Sequence, residues 1–280
     1  MKKIHSLLLL LFAVMLLSCE KSIEEPARQL LAEANDFFAT NDYNSAKMLI
    51  DSISITYPKA YKTRRDAEIL RREVMLKEKQ RDVEYFTSMY EMLSERRDSL
   101  VTEFAYNKDS QYQDMGYYTV PSQAIALNPF NCFLRASVKE NGDAYLTSYY
   151  RGAKIAHKRL KISSGDGFVA CEAPFSSRSY WQLGVYNERR DYRYGYDNGV
   201  MDYIASVESP VKVEISGEQG KYEYMLREED ATAIKRVIEL SNLLKMVEEA
   251  GVMRDEAQRA LNFLIKSQQR SQENVIQNQR

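Results

Sequence analysis

From Lys59 to Phe104 the chain carries no glycine and no proline. Hairpins need turn residues every few positions, so a run of that length without either breaker leaves a long helix as the local solution. It is dense in Arg, Lys, Glu, Leu and Met, all good helix formers. Val83, Phe86, Tyr90, Leu93, Leu100 and Phe104 recur at helical spacing, with Arg97 as the single polar interruption. The spacing predicts one amphipathic helix over 59–104, with room for one bend near Glu78 to Asp82. The charge run Arg71 to Arg81 reads as its solvated face.

Character changes sharply at Ala105. Over 105–227 the pattern predicts short strands and turns. Phe133 to Glu140 and Asp143 to Tyr150 flank Asn141-Gly142, a pair that tolerates the positive φ of a tight turn. A second hairpin turns at Ser164 to Gly167, and a third at Gly217 to Gly220. Seven to nine such strands imply an antiparallel sandwich or a partly closed barrel. Helical spacing returns over 228–280, where Asp230 and Thr232 suit a helix start and Leu240, Leu243, Leu244, Val247, Leu261 and Leu264 form a stripe. Gly251 is expected to break or bend this helix, and the Gln- and Ser-rich tail from Ser267 to fray. The fold class expected is α+β: an N-terminal helical hairpin and long helix, an antiparallel β-sandwich or partly closed barrel, and a long C-terminal helix packing back as a stalk. The alternative lays that helix over one sheet face.

Over 27–58 two apolar faces, one with Leu31, Ala34 and Phe37 and one with Ala46, Leu49 and Ile50, flank an Asn41-Asp42 turn. The placement of Ala34, Phe37, Ala46 and Pro58 resembles one tetratricopeptide repeat, with departures at Leu30, Glu33 and Ile53; a generic helical hairpin is the alternative. No second copy follows, so the hairpin has to pack on something else. Upstream, Lys2 and Lys3 precede an apolar run from Leu7 to Leu17 that is too short for a membrane span. Leu16-Leu17-Ser18-Cys19 resembles the lipobox of bacterial lipoproteins. The resemblance implies a signal peptide over 1–18, cleaved before Cys19, acyl chains such as palmitate on Cys19, and a tether over 19–26. Two or three chains suffice for stable anchoring, at about 0.8 kcal/mol per buried methylene. The location implied is the cell envelope, with the outer membrane favoured by the acidic residues after Cys19 and the membrane face left open.

Without Lys2 and Lys3 the chain has 37 basic and 40 acidic residues, a formal charge of −3. No strong field of either sign points to a nucleic-acid partner. Cys132 and Cys171 can pair or stay as two thiols. His157 is the single histidine after the leader; at a strand edge it is expected at the surface, with no triad, zinc or phosphate-loop motif around it. Asp191, Asp197 and Asn198 fit no known calcium loop. No cofactor is implied.

Fifteen of the 20 tyrosines fall between Tyr106 and Tyr224, and they crowd the stretch from Ser179 to Gly199. Tyr180, Trp181, Tyr186, Arg190, Tyr192, Arg193, Tyr194 and Tyr196 form the candidate binding surface, because flat rings with polar tips suit protein and glycan recognition. Structural packing of these rings is the alternative. Turn signals at Gly195 and Asn198-Gly199 suggest that much of the stretch is loop. The function expected is a lipid-anchored envelope binding or scaffold protein engaging a protein or glycan. The alternatives are an envelope enzyme acting on glycan through paired carboxylates, or an envelope assembly factor.

Overall fold

The computed structural model describes residues 23–278 apart from 129, 130, 173 and 209, so the leader and Cys19 lie outside the described residues. The described residues form two compact units, one of residues up to 88 with those from 252 onward and one of residues 89–251. Two helices, α3 (Tyr61–Val101) and α5 (Glu228–Asn278), contribute to both.

In the first unit, helix α1 (23–39), α2 (Tyr43–Thr56) and the start of α3 share one apolar core. Ala34 and Ala46 are fully buried, as small residues at a close helix approach must be. Asp42 caps α2, accepting the Ser45 backbone N–H at 3.1 Å. The hairpin finds its packing partner in α3, which supplies Ala67, Leu70 and Val74, with Ala60 just before it. Glu24 accepts the free N–H groups of Lys62 and Thr63 at the start of α3, both at 3.2 Å.

Among the described residues the second unit holds ten strands in two antiparallel sheets. The larger has the order β1 (Ala105–Asn107), β2 (Tyr117–Thr119), β3 (Phe133–Lys139), β4 (Ala144–Gly152), β8 (Val185–Arg193), β7 (Ser176–Gln182). The smaller has the order β10 (Gly220–Met225), β9 (Lys212–Gly217), β5 (His157–Ser164), β6 (Gly167–Cys171). Leu134, Ala136 and Leu146 of the first share one core with Leu160, Ile162, Val213 and Ile215 of the second, so the domain is a sandwich. The first half of α5 closes this core with Ile234, Val237, Leu240 and Leu243. It runs antiparallel to the end of α3, with Arg96 paired to Glu239 at 3.1 Å and Glu103 to Arg236.

The three expected hairpins form. The β3–β4 turn places Gly142 at φ +81°, and its carbonyl accepts the Ser241 hydroxyl of α5 at 2.6 Å. A Cβ at Gly142 would sit 3.0 Å from the Ser241 carbonyl oxygen, so the residue also permits the helix to come close. Three expectations change. The stretch 176–193 is a β7–β8 hairpin instead of loop, turning at Leu183 and Gly184, both at positive φ as a type I′ turn demands. Helix α5 continues unbroken through Gly251, whose missing side chain makes room for the Tyr90 ring, and it persists to Asn278. A short helix, α4 (Val200–Ser206), buries Val200, Met201 and Ile204 where only strand and turn were expected. Cys132 and Cys171 do not pair with each other.

Candidate binding face of the six-stranded sheet

Side chains alternate across a strand, and the register of β3, β4, β8 and β7 sorts theirs onto two faces. One set runs Leu134, Ser148, Arg190, Ser177, with Ala136, Leu146 and Tyr192 in the next row. The β3, β4 and β8 members point into the sandwich, whereas β7 is exposed along its length. The other set forms the opposite face: Phe133, Tyr149, Arg189 and Arg178 in one row, and Arg135, Thr147, Asp191 and Ser176 in the row beside it. No second sheet shares its apolar residues there.

The inner face carries charge, all of it committed. Glu188 on β8 accepts the backbone N–H groups of Ile155 and Ala156 at 2.9 and 2.7 Å. Its other oxygen meets the His157 N–H and the His157 Nδ1, both at 2.8 Å. The positive φ of Ala156 turns these amides into a nest around the carboxylate. Arg190 donates through Nε to the His157 carbonyl at 2.8 Å and lies 3.4 Å from Glu188. This cluster joins the two sheets. Burial pulls the His157 pKa down to about 4, with the Arg190 charge helping and Glu188 opposing. Burial pushes Glu188 the other way, yet the three amides and His157 hold it below its ordinary value. His157 is therefore a fully buried, neutral imidazole, contrary to the surface position expected. Only its Nε2 has no partner.

The opposite face is open and polar. Two clefts lie on it, of about 620 and about 500 Å³, and both are bordered by Ile125 and Arg189. Tyr149 stacks on Phe133 at 4.9 Å between centroids and 9° between planes, and Arg189 sits over the Tyr149 ring. Asp191 binds the Thr147 and Ser176 hydroxyls, each at 2.6 Å, and Arg189 at 3.1 Å. Arg135, Lys139 and Arg178 line the same clefts and have no carboxylate partner among the described residues. The Arg135 Nε and the Tyr149 hydroxyl are buried with no hydrogen-bond partner.

The wall of the clefts is the segment 121–128, two short 3₁₀ turns held by the buried Gln123 and Asn128 side chains. Gln123 bonds along β3 as a neighbouring strand would, its Nε2 donating to the Leu134 carbonyl and its Oε1 accepting from the Ala136 N–H, each at 2.9 Å. Its Nε2 also reaches Asp230 of α5 at 3.0 Å.

The candidate residues of the 179–199 stretch do not form one surface. Arg190 and Tyr192 are buried on the inner face, because even-numbered positions of β8 point into the sandwich; they are removed from the candidate surface. Tyr180 does join the open face and lines the larger cleft. Trp181, 70% exposed, and Tyr186 pack edge to face on the opposite side of the same hairpin. Arg193 is bound to Asp143 at 2.9 Å and lies against the exposed Tyr196 ring, and the Tyr194 hydroxyl donates to Asp202 at 2.8 Å. Arg135, Tyr145, Tyr149 and Arg178 were absent from the sequence-based candidates. The signal for the β3 and β4 members was present as the alternation Arg135, Ser137, Lys139 and Tyr145, Thr147, Tyr149, Arg151.

Asp191, Asp197 and Asn198 are occupied separately, Asp197 by the Met201 N–H at 2.8 Å and Asn198 by the Ala170 carbonyl at 2.9 Å. No cluster of three or more His, Cys, Asp or Glu suited to a metal occurs among the described residues. Nor is any described helix long and apolar enough to cross a membrane. Compared with protein-family models, curated proteins and solved structures, the chain matches none of them.

Proposed function

We propose that this chain is a lipid-anchored binding protein of the bacterial envelope whose β domain engages a protein or glycan partner on the open face of its larger sheet. The observation that carries the binding half is the set of cations with no carboxylate partner among the described residues, Arg135, Lys139 and Arg178, beside the Tyr145 and Tyr149 rings. Cations left without counter-charges contribute little to folding and are suited to a ligand's oxygens. The anchoring half rests on the sequence of the leader and on Cys19.

Both halves are testable. In the native host, Cys19→Ala is expected to abolish acylation and shift the protein out of the detergent phase; unchanged partitioning and mature size would defeat the anchor. A double variant, Arg178→Ala with Tyr149→Ala, is expected to lose retention of the protein on host envelope material. Retention equal to that of the unaltered protein would defeat the open face as the binding site. The alternative of a glycan-cleaving enzyme gains no comparable support. Of the three acids bordering the clefts, Asp191 spends its oxygens on two hydroxyls and Arg189, and the Glu188 carboxylate is turned inward, which leaves Asp114 without a second available carboxylate.

A further inference from the structure

We infer that the ligand of the open face is an acidic glycan, a chain of sugar rings bearing carboxylate or sulfate groups. The inference rests on the open-face reading above and adds the chemistry of what binds there.

Three observations converge. First, the floor of the clefts offers side chains and no unpaired backbone. Strands β4 and β8 are paired on both sides, and β3 is paired by β4 along one edge and by β2 and the Gln123 amide along the other. An extended peptide docks on a sheet through unpaired backbone groups at an edge. The one edge strand that borders the clefts is β7, which lines one side of them with Ser176, Arg178, Tyr180 and Gln182. Second, the lining is that of a sugar site. Tyr180 in the larger cleft and Tyr145 in the smaller offer rings to the apolar side of a pyranose, while the buried Phe133 ring supports Tyr149 from behind. Asn131, Asn187 and Gln182 in the larger cleft, with Ser137 and Ser176 in the smaller, supply planar amides and hydroxyls for vicinal sugar hydroxyls. Third, positive charge is in excess. Among the described residues Arg135, Lys139 and Arg178 border the clefts without a carboxylate partner, while Asp191 is already saturated and Asp114 is the one exposed acid on the rim. The chain as a whole is close to neutral, with a formal charge of −1, so this cationic strip is local. Arginine forks donate to carboxylate or sulfate oxygens in pairs, which suits Arg135 and Arg178 to such groups. Two clefts meeting at Ile125 and Arg189 suit consecutive residues of a chain better than one small anion.

The test is affinity electrophoresis of the full chain lacking only its leader and acyl group. The probes are polygalacturonate (carboxylate), dextran sulfate (sulfate), unmodified dextran (neutral) and poly-glutamate (acidic peptide). Retardation by one or both acidic polysaccharides is expected, falling about tenfold in apparent affinity in Arg135→Ala and in Arg178→Ala. Which polysaccharide retards identifies the acidic group. Trp181→Ala, on the other side of the hairpin, is expected to bind as the unaltered chain does, and thermal melts confirm that each variant is folded. Equal retardation by dextran, or stronger retardation by poly-glutamate, lost in the same two arginine variants, would overturn the acidic glycan and leave the open face standing. Absence of retardation by both acidic polysaccharides, or retardation indifferent to both arginines, would overturn the inference outright.

Discussion

The two faces of the six-stranded sheet are built from the same strands and both carry arginines, yet they use them oppositely. On the inner face Arg190 is 7% exposed, and its donors meet backbone carbonyls, the Ser179 hydroxyl and Glu188. On the open face Arg135 and Arg178 meet no carboxylate among the described residues. A charge taken out of water has to be satisfied by the fold itself, whereas one at the rim of a cleft can wait for a partner. Satisfaction, more than residue type, separates structural charge from available charge here.

The largest effect is expected from Tyr192→Ala. Truncating this fully buried ring should cost about 3–5 kcal/mol in chemical denaturation. A loss below about 1 kcal/mol would erase the distinction between the faces. Glu188→Ala should cost a similar amount, about 3–5 kcal/mol, because it strands three amides and the Arg190 charge in the interior.

A pH series sharpens the same contrast. His157 titrates near 6.5 in an unfolded chain and at about 4 in the fold, so the unfolded state takes up a proton first. Stability should be level above about pH 6.5 and fall as the pH drops toward 4, by roughly 3 kcal/mol from this group alone. The depressed pKa of Glu188 acts in the same direction at still lower pH. Denaturant midpoints between pH 7.5 and 5 measure it; a flat profile would mean that the imidazole is not held neutral. The smallest effects belong to exposed side chains. Trp181→Ala should cost about 1 kcal/mol, the worth of its edge contact with Tyr186, and Arg178→Ala about 0.5 kcal/mol or less. A melt lowered as far as that of Tyr192→Ala would make either one structural.

The architecture was legible wherever turns and periods spoke plainly. The breaker-free run gave α3, and Asn141-Gly142, Ser164 to Gly167 and Gly217 to Gly220 gave three hairpins. The fourth hairpin was hidden because its turn uses Leu183, a residue rarely found at positive φ. Gly251 looked like a breaker because a sequence does not reveal that the Tyr90 ring needs the space. The site was harder. Strand β8 reads Val-Tyr-Asn-Glu-Arg-Arg-Asp-Tyr-Arg, polar on both faces, so hydrophobic alternation could not tell which side was buried. Only the long-range bonds from Glu188 and Arg190 to the His157 segment decide it. That same pairing turned an apparent surface histidine into an interior one.

The Gln123 amide, doing the work of a strand along β3, has a thermodynamic consequence. Irregular segments that border binding clefts often order only when a ligand arrives, and the lost conformational freedom is subtracted from affinity. Here the segment is tied at Leu134, Ala136 and Asp230, and Arg227 extends the tie by donating to both Asp230 and Asn128. The wall of the clefts is set in place by folding itself, so a ligand arriving there finds the entropy of ordering already spent.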